Sequence, residues 1–165
     1  MEFHEAEERE RKMIVSFAGH ANIPFKEQVK ILVKEQLRSH IIGSNQITCY
    51  LGGYGDFDDI CAHACKELKQ EIGGIELVYV TPYLHLSEQY KIKEKQRSGL
   101  YDASIYPLTG HIPPKFAISK RNEWMMTHSN LIIAYVNRSY GGAYYSLQVA
   151  KRRKKEIVNI CDYLS

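Results

Sequence analysis

The sequence predicts an α/β fold, a Rossmann-like three-layer α/β/α sandwich built on a mostly parallel sheet. Two observations carry this. Short apolar runs rich in β-branched residues alternate with longer amphipathic runs, and glycine or proline punctuates most of the junctions. Strands that alternate with helices pair in parallel, and a parallel sheet has to be covered on both faces.

Each element follows from local pattern. Residues 1–12 are dominated by charge and read as an extension ahead of a single domain over 13–165. Met13-Ile14-Val15-Ser16-Phe17 is a buried strand closed by Ala18-Gly19-His20. Phe25 to His40 places Val29, Leu32, Val33 and Leu37 at helical spacing, with Gly43 as a stop. Gln46 to Leu51 is a second strand running into Gly52-Gly53-Tyr54-Gly55-Asp56. A helix over Phe57 to Glu71 carries Ile60, Ala64 and Leu68 on one face and ends at Gly73-Gly74. Ile75 to Val80 is a third strand, stopped by Pro82. The segment from Thr81 to Pro114 reads as a long ligand-facing connection with one strand, Ala103 to Tyr106. Lys115 to Ser129 is a helix, Asn130 to Val136 a strongly apolar strand, Gly141 to Lys155 a further helix, and Glu156 to Ile160 a last strand.

Size and composition set limits. A chain of 165 residues makes one domain with a proper core. With 44% hydrophobic and 25% charged residues, and no apolar run near the ~20 residues that span a bilayer, a cytoplasmic protein with no membrane partner is expected. Cys49, Cys61, Cys65 and Cys161 are expected as reduced thiols. Cys61 and Cys65 share a helical face, but no second ligand pair accompanies them, so no metal is expected. A net charge of +3 is too small to point to nucleic acid by itself, and a nucleic-acid partner is not expected. The basic run Lys151 to Lys155 reads as a solvated helix end, with an anion-binding patch as the alternative.

Ligands of such sheets bind beyond the carboxyl ends of strands. Three strand ends carry glycine: Gly19 beside His20; Gly52, Gly53 and Gly55; and Gly141 with Gly142. Glycine lets backbone approach a ligand, and the first N–H groups of the following helix face it from the positive end of the dipole. Phosphate is the natural occupant. Neither G-x-G-x-x-G nor a Walker motif is present, and no cofactor is expected. Asp56 and Asp58 are candidates for ribose hydroxyls, with helix capping as the other role for Asp56. Arg121 would clamp phosphate, Glu123 would act as acid, base or ribose ligand, and Tyr83 beside Pro82 would stack on a base.

These residues fall in a familiar order. Ser16-Phe17-Ala18-Gly19-His20, then Leu51-Gly52-Gly53-Tyr54-Gly55-Asp56-Phe57-Asp58, Val80-Thr81-Pro82-Tyr83, Tyr101-Asp102, Ala117 through Met125, and Ala134-Tyr135-Val136 before Gly141-Gly142-Ala143 together resemble bacterial proteins of the SLOG superfamily, near its YpsA-like branch. The superfamily includes the Lonely Guy phosphoribohydrolases and the DNA-processing protein DprA. The resemblance implies a Rossmann-like fold, a nucleotide-derived small-molecule ligand and a homodimer. Arg121, Gly141 and Gly142 match the Lonely Guy motif pair, but Gln148 stands where its catalytic Glu belongs, and an amide does not stabilise a cation-like sugar. The expected function is therefore nucleotide binding or sensing. The alternative is an N-glycosidic hydrolase or deoxyribosyltransferase, with Arg121 and Glu123 as its catalytic residues.

Overall fold

The computed structural model describes residues 12–41 and 46–164; residues 1–11 of the charged extension and the stop expected at Gly43 lie outside them. Six strands, β1 (Lys12–Gly19), β2 (Gln46–Leu51), β3 (Ile75–Val80), β4 (Ala103–Ile105), β5 (Leu131–Tyr135) and β6 (Glu156–Asn159), form one sheet. Five helices connect them: α1 (Lys26–Ile41), α2 (Gly55–Ile72), α3 (Leu86–Arg97), α4 (Pro114–Thr127) and α5 (Gly142–Arg152); a 3-10 turn, Ile160–Tyr163, follows. The strand order is β4-β3-β2-β1-β5-β6, and every pairing is parallel. The chain steps outward from β1 to β4, then crosses back to lay β5 on the other side of β1. The strand order therefore reverses between β1 and β5, which is where a ligand crevice opens in such sheets.

The alternation of side chains along each strand feeds two cores. Val15, Phe17, Leu131 and Ile133 pack with Val29, Val33 and Leu37 of α1 and with Ile60, Ala64 and Leu68 of α2. Their neighbours Ala18 and Ile132, with Val80, pack with Met125 and Met126 of α4 and Ala150 of α5. Fully burying each large aliphatic side chain contributes about 1.5–3 kcal/mol, so both faces are needed. The result is the expected α/β/α sandwich, with a sheet that is wholly parallel.

The expectation for Thr81 to Pro114 needs correction. That segment is not one long irregular connection, because it contains the twelve-residue helix α3. Only Glu88 and Ile92 of that helix are buried, so its sequence carries no apolar stripe to read. The strand inside the segment is real and forms the sheet edge against β3. Among the described residues, no group of three or more His, Cys, Asp or Glu side chains is placed to hold a metal, and no helix is long and apolar enough to cross a membrane. All four cysteines are free, and burial pushes the Cys61 and Cys65 thiols up, which keeps them protonated.

Several strand-end glycines serve packing rather than ligand approach. A Cβ on Gly19 would stand 2.3 Å from the Phe57 ring, and one on Gly53 2.2 Å from the Tyr79 ring; one on Gly55 would meet the Ala21 backbone at 2.8 Å. By contrast, nothing lies within 4 Å of a Cβ on Gly142. Chemical denaturation should show Gly19→Ala losing about 1–3 kcal/mol by overpacking, while Gly142→Ala stays within about 0.5 kcal/mol of the parent. Equal losses would contradict this division.

Candidate anion site at the strand switch point

The crevice beyond β1 and β5 is a cleft of about 270 Å³. Gly19 and His20 bring the end of β1 to it, Arg138 follows β5, Gly142, Ala143 and Ser146 come from α5, Arg121 from α4, and Asp58 from α2. Local chemistry explains each placement.

Arg121 is 1% exposed. Its Nη1 donates to the carbonyls of Gly52 (2.9 Å) and Val80 (2.6 Å), and its Nε donates to Asn122 Oδ1 at 2.8 Å. The guanidinium has five N–H donors, and these bonds use three. Nη2 has no acceptor among the described residues, and no carboxylate lies within ion-pair distance of Arg121 among them. A buried charge without a partner is costly, and here it borders a cavity. Arg121 also lies 5.5 Å from the centre of the Tyr54 ring, a cation–π arrangement.

Asp58 is half-buried, and its Oδ2 accepts the Tyr54 N–H at 3.0 Å. A Cβ on Gly52 would sit 2.9 Å from that oxygen and 3.3 Å from Arg121 Nη2, so the bare glycine separates the two charges. Burial pushes the Asp58 carboxyl up to about 6, against the opposing pull of the Tyr54 N–H and the Arg121 charge.

His20 links the two strand ends, its Nε2 accepting the Asn137 N–H at 3.2 Å. That bond places the ring proton on Nδ1. Burial and the Arg138 charge hold the imidazole below its ordinary pKa, so it is neutral at pH 7. Helix α5 begins after Gly141, which sits at φ +92 and supplies no side-chain cap, and the first capping contact is Tyr145 N–H to the Gly141 carbonyl. The amides of Gly142 and Ala143 therefore stay open at the positive end of the helix.

The structure separates the other expected site residues from this cleft. The Asp56 and Phe57 amides at the start of α2 donate to the Ala21 and His20 carbonyls. Asp56 Oδ2 accepts the Ile23 N–H at 2.9 Å, and that bond, with Lys26 nearby, holds its carboxyl below the usual range. Asp56 is thus a clasp for the β1–α1 loop. Gly53 and Gly55 are pressed against Tyr79 and Ala21. Pro82 and Tyr83 follow β3, outside the cleft, and Tyr83 stacks on His85. Glu123 pairs with Lys120 and borders a different depression with Trp124 and His128. Arg121 and Glu123 are two apart on a helix and cannot face the same way, so the catalytic pair expected for an N-glycosidase is not assembled. Arg138 was missed by sequence reasoning; its signal is a lone basic residue between an apolar strand and Gly141-Gly142.

Fold and cleft together define a Rossmann-like domain with a crevice at its switch point that carries Arg121, Arg138 and Asp58. No protein-family model matches the sequence, and no curated protein matches it. Among solved structures, the chain is similar to DNA processing protein A from Helicobacter pylori, described for its single-stranded DNA binding mode, at 16% identity and TM-score 0.57 over 88% of this chain. It is also similar to DNA processing protein A from Streptococcus pneumoniae, at 15% identity and TM-score 0.62 over 89% of this chain. The chain spans 63% and 50% of those two proteins. At such identities the likeness is one of fold. It also corrects one expectation: nucleic acid is not an unlikely kind of partner for this architecture, since a protein that shares it, DNA processing protein A from Helicobacter pylori, is described for binding single-stranded DNA.

The Asp58 carboxyl generates a pH prediction. Its pKa is raised from 3.8 to about 6 on folding, so the folded state holds the extra proton and stability falls as pH rises between those values. Urea midpoints of the parent should fall relative to Asp58→Asn from about pH 4 to about pH 6, then run parallel above it. A constant difference across that window would contradict the burial of this carboxyl.

Proposed function

We propose that this chain binds a nucleotide or nucleotide-derived molecule by its phosphate in the switch-point cleft. The single observation that carries this is Arg121: a buried guanidinium with no carboxylate partner among the described residues and with Nη2 unspent beside a cavity. A phosphate there would accept from Nη2, from Arg138 and from the Gly142 and Ala143 amides, and would supply the missing negative charge. The neutral His20 offers its Nδ1 proton to a ribose or phosphate oxygen. The relation to the YpsA-like branch of the SLOG superfamily rests on the sequence motifs, and the neighbours add only the shared fold.

A second reading, that the phosphate belongs to a single-stranded DNA chain, is favoured by the Helicobacter pylori neighbour. Tyr140 and Tyr145 are exposed, and Arg138, which lines the cleft, lies 4.8 Å from the centre of the Tyr140 ring. Exposed aromatics beside cations are the elements that hold unpaired bases.

Thermal melts and equilibrium binding with nucleoside monophosphates and a thymidine oligomer test both readings. A ligand at 100 times its Kd stabilises the folded state by about 2.7 kcal/mol, so Tm should rise clearly. Arg138→Ala, at an exposed position, should weaken binding about tenfold. If DNA is the ligand, affinity falls steeply with salt and neutralising Lys151 to Lys155 weakens the oligomer alone. No Tm shift with any of these ligands, or full binding by Arg138→Ala, would overturn the proposal.

A further inference from the structure

Behind Tyr54 lies a second, smaller cavity of about 80 Å³, lined by Gly53, Tyr54, Tyr79, Glu88, Ile92 and Tyr101, with Lys91 and Lys95 also bordering it. Tyr54 lines both cavities. Its ring carries Arg121 over one face, and its hydroxyl reaches Glu88.

Glu88 is 3% exposed, in the first turn of α3. Among the described residues no cation stands within ion-pair distance of it, Lys91 and Lys95 included. A carboxylate offers about four acceptor sites. The Tyr79 hydroxyl fills one at 2.6 Å, and burial together with Glu88 pushes its pKa up, keeping it in the donating form. The single proton of Tyr54 is shared between Oε1 at 3.4 Å and Oε2 at 3.3 Å. Thr81 Oγ1 sits 3.5 Å away, but its proton goes to the Tyr83 carbonyl at 2.9 Å. Oε2 is thus left with one long bond, at the wall of a cavity. A buried acceptor short of donors selects a ligand that brings them.

We propose that this cavity takes only the donor edge of the base of the nucleotide held in the cleft, and that Glu88 selects a base with two adjacent N–H donors, as on the guanine edge. The assignment rests on the phosphate reading above. The guanine ring N–H and exocyclic amine match a carboxylate in a two-pronged arrangement. Adenine would turn a ring acceptor toward the same oxygens and is repelled. Tyr54 supplies the aromatic wall against which the base lies.

Calorimetric binding of GMP, IMP and AMP to the full chain tests this. GMP should bind about 10- to 100-fold tighter than AMP, with IMP, which lacks the exocyclic donor, between them. Glu88→Gln, whose amide presents one acceptor and one donor, should weaken GMP and strengthen AMP, closing or reversing the gap. GMP and AMP within twofold of each other would overturn the proposal, as would equal weakening of both by Glu88→Gln; if that variant does not fold, the base series on the parent decides alone. Ribose 5-phosphate, tested on the parent and on Arg138→Ala, separates the two ideas. If it binds while GMP and AMP do not differ, the base assignment falls and the phosphate site stands; if it fails while GMP exceeds AMP, Glu88 selects the base but the cleft does not hold the phosphate, and the phosphate reading is overturned.

Discussion

One guanidinium organises the carboxyl edge of this sheet. Arg121 rises from α4 and donates to the carbonyls that end β2 and β3, at Gly52 and Val80. Two strand ends and a helix on one face of the sheet are tied together by a single side chain. The arrangement works because Gly52 has no Cβ: a methyl there would press on both Asp58 and Arg121. Among the described residues, no opposite charge lies within ion-pair distance of that guanidinium, and the cleft is the open space it borders.

The rest of the crevice is consistent with this electrostatic demand. Helix α5 opens without a side-chain cap, Arg138 stands at the same edge, and His20 is held neutral by burial and by that arginine. Asp58, in the same cleft, has its carboxyl raised to about 6 by burial and so remains mostly charged at neutral pH. The open helix end and Arg138 are the features that lower the cost of bringing an anion in. A formal charge of +3 over the whole chain says nothing of where its cations gather, so it carries no argument about a nucleic-acid partner in either direction.

Much of the fold was legible in the sequence because the central strands β1, β2, β3 and β5 are short runs rich in apolar residues and helices α1 and α2 bear an apolar stripe. Helix α3 was not, since only Glu88 and Ile92 turn inward and the pattern carries no period. Of the expected site residues, Gly19, His20, Asp58, Arg121 and Gly142 line one cleft. Gly53 and Gly55 show the limit of reading glycines: both have positive φ, but the space they leave is filled by Tyr79 and Ala21. A sequence cannot say whether the vacancy left by a missing side chain belongs to a ligand or to the protein. Glu123 is different, because its offset of two from Arg121 already turns it to another face of α4. Glu88 was missed because a glutamate in a charged helix gives no sign of burial.

The most direct test of the central claim is a crystal structure with a bound nucleoside monophosphate. The account predicts a phosphate oxygen within hydrogen-bond distance of Arg121 Nη2, with others on the Gly142 and Ala143 amides. A nucleotide seated elsewhere, with the Arg121 guanidinium untouched, would contradict it.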